Sequence, residues 1–165
     1  MLMNRPHYWL LLSIAFSLAR GVAGQEWERF RGPNGSGYSA ATSIPVQWTD
    51  EDYNWKRALP GTGHSSPVLW GRRLFVTSGD EATGVRFVLC LDAQTGEQLW
   101  QRTFPAEQHR KHKLNSYASA TPVVDQHRLY VCWGTPQRLT VLALDHQGRS
   151  QWQRDLGPYQ GGHGF

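Results

Sequence analysis

The densest group of charged side chains in the 165-residue sequence is the run H-R-K-H-K at residues 109–113. Such a basic patch is able to contact a phosphate, an acidic polysaccharide or an acidic protein surface. The alternative is a solvated loop that is extended by its own charge repulsion. His109 and His112 are also of the type that binds metals, but no Cys lies nearby to complete a site. We therefore predict no metal centre in this segment.

The acidic side chains do not form a recognisable catalytic pattern. Four of them stand in predicted turns, at Asp80, Glu81, Asp125 and Asp145. The sequence also has no Gly-rich phosphate loop, no nucleophile elbow and no His-Glu metal motif. We therefore predict no catalytic residues in this chain.

The segment Cys90–Trp100, with the sequence C-L-D-A-Q-T-G-E-Q-L-W, predicts a β-hairpin. Asp92 and Thr95 are turn formers, because an Asp carboxylate accepts hydrogen bonds from backbone N–H groups just ahead of it. Gly96 supplies the positive φ that closes a tight hairpin. The hairpin therefore carries a large aromatic residue, Trp100, on its outgoing strand.

This pattern returns at Ala143–Trp152, where Asp145, Gly148 and Trp152 take the places of the first Asp, Gly and Trp. The two Asp residues are 53 positions apart and the two Trp residues 52 apart. Upstream, a Pro-Val pair and a Leu-aromatic-Val triplet each recur at a spacing of 55 residues. The chain therefore contains an internal repeat, the second copy having a shorter turn.

Each repeat contains four short β-rich segments separated by turn residues. In both copies the third segment is apolar at nearly every position, so it must be covered on both faces. The predicted strands are 65–70, 73–78, 86–92 and 98–104 in the first copy, and 120–124, 128–133, 139–145 and 150–156 in the second.

Four-stranded units of about 40 to 50 residues that are buried on both faces are typical of β-propeller blades. We therefore predict an all-β protein that forms part of a β-propeller, with one blade at 65–104 and another at 118–156. Two independent hairpin pairs in a sandwich would explain the doubly buried strands but not the matched spacing of the turn and the Trp.

The segments outside the two blades are predicted to be incomplete. Residues 25–52 are an irregular lead-in, and 53–59 resemble the fourth, outermost strand of a blade whose other strands are missing. Residues 157–165 are the start of a truncated next blade. Propellers close with about four blades or more. We therefore expect further C-terminal blades, or another chain, to complete the ring.

The turn pattern D-x-x-T-G-x-x-x-W and the first strands S-S-P-V and A-T-P-V resemble the pyrroloquinoline-quinone (PQQ) type of propeller repeat. This family includes the eight-bladed PQQ-dependent alcohol dehydrogenases and the propeller lipoprotein of the bacterial outer-membrane barrel-assembly machine. The run F-R-G-P-N-G-S-G at Phe30–Gly37 is similar to the opening of the family's secreted bacterial proteins.

The resemblance implies the fold strongly and the chemistry weakly, because one propeller scaffold hosts many functions. It implies that Trp100 and Trp152 dock between neighbouring blades. It favours a non-catalytic scaffold that binds a protein or a glycan and has no cofactor. The alternative is the N-terminal part of a PQQ-dependent dehydrogenase, which would bind PQQ with calcium.

Residues 1–24 are predicted to be a signal peptide. Arg5 precedes an apolar run at 9–18, which is shorter than the about 20 residues that span a bilayer. The small residues Val22, Ala23 and Gly24 predict cleavage before Gln25 and export to the periplasm or exterior. Cleavage lowers the formal net charge from +4 to about +2, because two Arg and no acids are lost. So small a charge gives no overall case for binding nucleic acid or a membrane surface.

An exported chain with two cysteines permits a disulfide bond. However, Cys90 falls on a third strand of one blade and Cys132 on a second strand of the other. Both lie in apolar runs. We predict two buried free thiols.

The candidate ligand-binding residues stand just before the innermost strands. His64 and His163 each precede such a strand, and Ser119 takes the same place in the middle blade. The starts of innermost strands line one mouth of the central channel in a propeller. These side chains either contact a ligand there or are channel-lining polar groups satisfied by water and backbone.

Overall fold

The computed structural model describes residues 26–42 and 44–159. They form an all-β fold of two four-stranded antiparallel sheets, and within each sheet the strands lie in chain order. The sheets are two blades of a partial β-propeller, as predicted. The first sheet contains β1 (Val68–Trp70), β2 (Arg73–Gly79), β3 (Arg86–Asp92) and β4 (Gln98–Phe104), and the second contains β5 (Val123–Val124), β6 (Arg128–Thr135), β7 (Arg138–Asp145) and β8 (Ser150–Asp155).

The third strand of each sheet is buried on both faces. Leu89 and Cys90 point to opposite faces of β3 and are both fully buried, and Leu142 and Ala143 do the same in β7. This explains why these strands are apolar at nearly every position instead of alternating.

The main hydrophobic core lies between the two sheets. Phe75 and Cys90 pair across β2 and β3, and Leu129 and Leu144 pair across β6 and β7. All four belong to one cluster of buried side chains. Because this cluster draws on both sheets, it joins the two blades through apolar packing.

The innermost strands are shorter than predicted, because β1 begins at Val68 and β5 at Val123. Ahead of β1, the N–H of Ser65 donates to the Ala118 carbonyl at 3.0 Å and the N–H of Ser66 to the Thr121 hydroxyl at 3.0 Å. These donors are satisfied by the neighbouring blade instead of by β2. The segment therefore joins the blades and does not extend the strand.

Residues 53–59, predicted as an outer strand, form no strand, because none of the strands in the described part of the chain pairs with them. The lead-in is irregular, with short 3-10 turns at Pro33–Gly35 and Asp50–Asp52. It also makes a contact that the sequence did not predict. Trp27 forms a two-way backbone bridge with Leu69 of β1.

The residue after it, Glu28, accepts a backbone hydrogen bond from Val124 of β5 at 2.9 Å. The lead-in thus joins both innermost strands. In the part of the chain that the structure describes, no helix is long and apolar enough to cross a membrane. The predicted signal peptide lies outside the described residues.

Candidate functional site

The β3–β4 turn is held by the Asp92 carboxylate. It accepts hydrogen bonds from the backbone N–H groups of Gln94 at 2.9 Å and Thr95 at 3.0 Å. The Gln94 hydrogen bond in particular, with those of Thr95 and the Arg72 guanidinium at 2.9 Å, holds the pKa of Asp92 below its ordinary value. The carboxylate therefore stabilises the turn in its ionised form.

Asp145 has the same role in the β7–β8 turn. It accepts hydrogen bonds from the N–H groups of Gln147 at 3.0 Å and Arg149 at 2.9 Å. Desolvation by burial acts to raise the pKa of Asp145, but the hydrogen bonds from Arg149 and Gln147 outweigh it, so that the net shift is downward. The missing Thr shortens this turn without changing its mechanism.

Trp100 of the first sheet sits on this turn of the second sheet. Its indole Nε1 donates to the His146 carbonyl at 2.9 Å. Gly148 lies beneath the ring with φ 76°, and a Cβ at this position would lie 2.8 Å from the indole. Only glycine satisfies both the positive φ and the close approach.

Trp55 makes the same contact one junction earlier. Its Nε1 donates to the Ala93 carbonyl at 3.1 Å, and its ring lies over Gly96, where a Cβ would come within 2.5 Å. Although residues 53–59 form no strand, this Trp therefore occupies the docking position. We call this contact of an indole with a turn glycine and a turn carbonyl the Trp–turn junction.

An arginine two residues after the Trp completes each junction. Arg102 donates from Nε to the Gly148 carbonyl at 2.6 Å and from Nη2 to the Gln147 carbonyl at 3.2 Å. Arg57 donates to the Gly96 carbonyl at 3.4 Å. These arginines were not among the predicted site residues, although W-x-R recurs at 55–57, 100–102 and 152–154.

A β-bulge orients the Trp of each complete blade. The register shifts at Leu99, between the pairs Cys90–Trp100 and Leu91–Gln98, and it shifts in the same place between β7 and β8. Bulges redirect side chains and increase local twist. The repeat therefore conserves the geometry of the outgoing strand despite turns of different length.

Trp152 and Arg154 form the same half of a junction on the open face of the second sheet. The Trp152 ring packs on Tyr130 at 6.0 Å and 46°, as Trp100 packs on Phe75 at 6.0 Å and 46°. Among the described residues, no turn lies against this indole. Trp152 and Arg154 of the second sheet thus stand where Trp100 and Arg102 stand in the first.

A cavity of about 610 Å³ lies at the end of the sheets where β1 and β5 begin, between the segment that links the two blades and the end of β6. One wall is the basic run 109–113, and the other is the end of β6 with the turn that follows it. The residues that matter for its chemistry are Arg86, Arg110, Lys111, Lys113, Ser119 and Trp133.

The structure separates the three predicted ligand-binding residues. Ser119 lines the cavity, and its hydroxyl is hydrogen-bonded to Asn115 and Ser116. His64 is exposed and does not line the cavity, while its backbone N–H donates to the Ala118 carbonyl at 3.1 Å. His163 lies outside the described residues.

Both cysteines are free thiols. Cys90 is buried, and burial raises its pKa to about 12, so the unreactive thiol form dominates at neutral pH. Cys132 is only half-buried, which differs from the prediction, because it faces the open side of the second sheet and lines the cavity. Burial also raises the pKa of Cys132.

The acids in the turns that the sequence analysis named take part in local contacts. Asp80 accepts hydrogen bonds from the N–H groups of Ala82 and Thr83, and Glu81 pairs with Lys111 at 2.7 Å. Asp125 caps its own turn and accepts the Tyr130 hydroxyl at 2.9 Å. Each of these carboxylates is thus engaged in local structure.

The fold and the Trp–turn junctions define a class of protein, a β-propeller built from blades of one repeat. A family model described as outer membrane protein assembly factor BamB matches residues 40–163. The chain belongs to this family of PQQ-like propeller repeats.

The crystal structure of BamB from Moraxella catarrhalis is 17% identical, with a TM-score of 0.27. The match covers 65% of this chain and 43% of that chain, so this sequence spans less than half the length of the BamB chain. No curated protein matches the sequence.

The Trp–turn junction predicts that two matched substitutions in the 165-residue chain lower the free energy of unfolding by different amounts. Trp100→Phe removes the hydrogen bond to His146 and should lower the free energy of unfolding by about 0.5–1.5 kcal/mol or more. Trp152→Phe keeps the ring contact with Tyr130 and loses no hydrogen bond within the described residues, so its effect should stay below about 0.5 kcal/mol. Urea denaturation followed by circular dichroism measures both. Equal losses would contradict the assignment.

The turn carboxylates predict acid sensitivity. Because Asp92 and Asp145 have lowered pKa values in the folded state, they stabilise the fold above their ordinary pKa of about 4. This contribution is lost as the pH falls through the lower folded-state values. The free energy of unfolding should therefore fall below about pH 5.

Asp92→Asn combined with Asp145→Asn should flatten that dependence while lowering stability at pH 7, because the amide accepts hydrogen bonds without titrating. Urea unfolding curves at a series of pH values provide the measurement. An unchanged slope in the double variant would assign the acid sensitivity to other groups.

Proposed function

We propose that this chain is part of an exported β-propeller that acts as a non-catalytic binding or scaffolding module for a protein or glycan partner. The proposal is supported by the hydrogen bonds that the charged side chains of the turns make with the backbone. The turn carboxylates hold backbone N–H groups, and the arginines that follow the Trp residues hold turn carbonyls. These groups build a rigid scaffold, which leaves the cavity at the end of the sheets as a surface for binding.

The family's description supports a role of the same kind, because an assembly factor acts by contacting other proteins. On this proposal, this chain binds its partner at the end of the blades where β1 and β5 begin. The basic run 109–113 lies at that end and is partly exposed.

We further propose that additional blades, from the same chain or another one, complete the ring at the open face of the second sheet. Trp152 and Arg154 would take a turn that carries an Asp and a Gly, as the two described junctions do. Docking of such a turn would make Trp152→Phe as costly as Trp100→Phe in the completed assembly.

The binding role predicts a cross-link at one end of the blades. Leu114 is 75% exposed next to the basic run, so a benzoylphenylalanine placed there should give a discrete adduct in the producing cells. The control position is Gln126, which is exposed in the β5–β6 turn at the opposite end. Gel shifts and mass spectrometry identify the adducts.

A second test of the scaffold role incubates the longest natural form of the protein with PQQ, calcium and alcohols or sugars, and follows the reduction of a dye. We expect no dye reduction above background. PQQ-dependent turnover, or equal adducts from both positions, would overturn the scaffold role.

The export proposal predicts a defined N-terminus. Expression of the complete gene in a bacterial host should yield a periplasmic or secreted protein that begins at Gln25, because the signal peptidase recognises the small residues before it. Intact mass and N-terminal sequencing measure this directly. A cytoplasmic product that retains Met1 would contradict export.

A further inference from the structure

The cavity at the end of the sheets contains a buried cation without a carboxylate partner among the described residues. Arg86, the first residue of β3, is 3% exposed and lines the cavity. Its guanidinium donates to the carbonyls of Tyr117 at 3.2 Å, Gly134 at 3.3 Å and Gly84 at 3.5 Å. None of the ion pairs in the described part of the chain includes Arg86.

A buried charge is costly unless it is paired. Carbonyl oxygens and the faces of Tyr117 and Trp133, at 5.6 and 5.8 Å, offset part of that cost but do not neutralise the charge. Burial lowers the pKa of Arg86, although an arginine stays protonated at neutral pH. The cavity wall therefore carries an uncompensated positive charge.

The rim of the cavity adds charges of the same sign. Arg110 and Lys113 are exposed, and neither has a carboxylate partner among the described residues. Lys111 is paired with Glu81, which does not line the cavity. The described lining contains no Asp or Glu. Positive charges on a concave, low-dielectric wall raise the local concentration of anions.

The loop that brings these charges together is fixed in place. The Tyr117 hydroxyl donates to the His109 carbonyl at 2.9 Å and accepts the His109 N–H at 3.1 Å. Lys111 also donates to the Asn115 carbonyl at 3.1 Å. A site that is already ordered loses less entropy when it binds a ligand.

From this geometry we propose that the cavity binds a small ligand through an oxyanion group, either a carboxylate or a phosphate. Arg86 and the rim cations attract the charged group, and the ring of Trp133 lines the same cavity as an apolar surface for the rest of the ligand. The volume suits an organic ligand, because ligand cavities span about 300–1,000 Å³. The inference goes beyond the scaffold role, since it depends only on the cavity.

Isothermal titration calorimetry of the exported full chain at low salt tests the proposal with pyrophosphate and citrate as probes, and glucose as the neutral control. We expect one saturable site for at least one anion, with an affinity that falls as salt is added. Saturation by pyrophosphate alone would assign a phosphate ligand, and saturation by citrate alone a carboxylate ligand.

The rim variant Arg110→Gln/Lys113→Gln should weaken binding by about tenfold, because it removes charge-assisted contacts. Lys56→Gln/Arg128→Gln is the matched control, since it removes the same charge from residues outside the cavity lining. Arg86→Lys keeps the charge but loses the planar guanidinium, so it should also weaken binding. Its unfolding midpoint is measured in parallel to show that the variant is folded.

The proposal is overturned if neither anion saturates, if the rim variant binds as the wild type does, or if the control variant loses as much affinity. These outcomes are separate from those for the scaffold role. PQQ-dependent turnover would leave anion binding intact, and a failed titration would leave the cross-link at Leu114 unaffected.

Discussion

The seating of an indole on a glycine of the neighbouring turn is the constraint on which the rest of the structure depends. This contact needs three groups together. They are a Trp at the bulge of one sheet, a Gly with positive φ in the neighbouring turn, and a turn carbonyl that accepts the indole N–H. If the glycine gains a Cβ, the ring cannot approach, and the two apolar sheet faces separate. The core that contains Phe75 and Leu142 lies between the two sheets that this contact holds together.

The charged side chains at the Trp–turn junctions form hydrogen bonds mainly with backbone groups. Asp92 and Asp145 ionise to hold the N–H groups of their turns. Arg57 donates to a carbonyl of the first turn and Arg102 to carbonyls of the second. A turn organised in this way presents one rigid surface to its neighbour. Because donors and acceptors are paired locally, each junction can repeat without long-range charge balancing.

The cavity arises from the same arrangement of blades. Arg86 begins a central strand of the first sheet but donates to Gly134 in the second, so it bridges the blades at the end away from the Trp–turn junction. There the chain between the blades folds back as the loop that contains Tyr117 and the basic run. The concave, positively charged space thus lies at the end of the sheets away from the Trp–turn junction.

The sequence alone determined the repeat, the number of strands in each blade and the Asp-Gly-Trp positions, because hydrophobic period and turn chemistry are local properties. It did not determine the length of β1, the contact of Trp27 with Leu69 or the lack of a strand at 53–59. Those depend on which groups from distant segments satisfy the backbone. Tertiary structure also decided that Ser119 lines the cavity while His64 does not, and that Arg86 faces it without a carboxylate, since only packing of the two blades brings residues from separate repeats to a common wall.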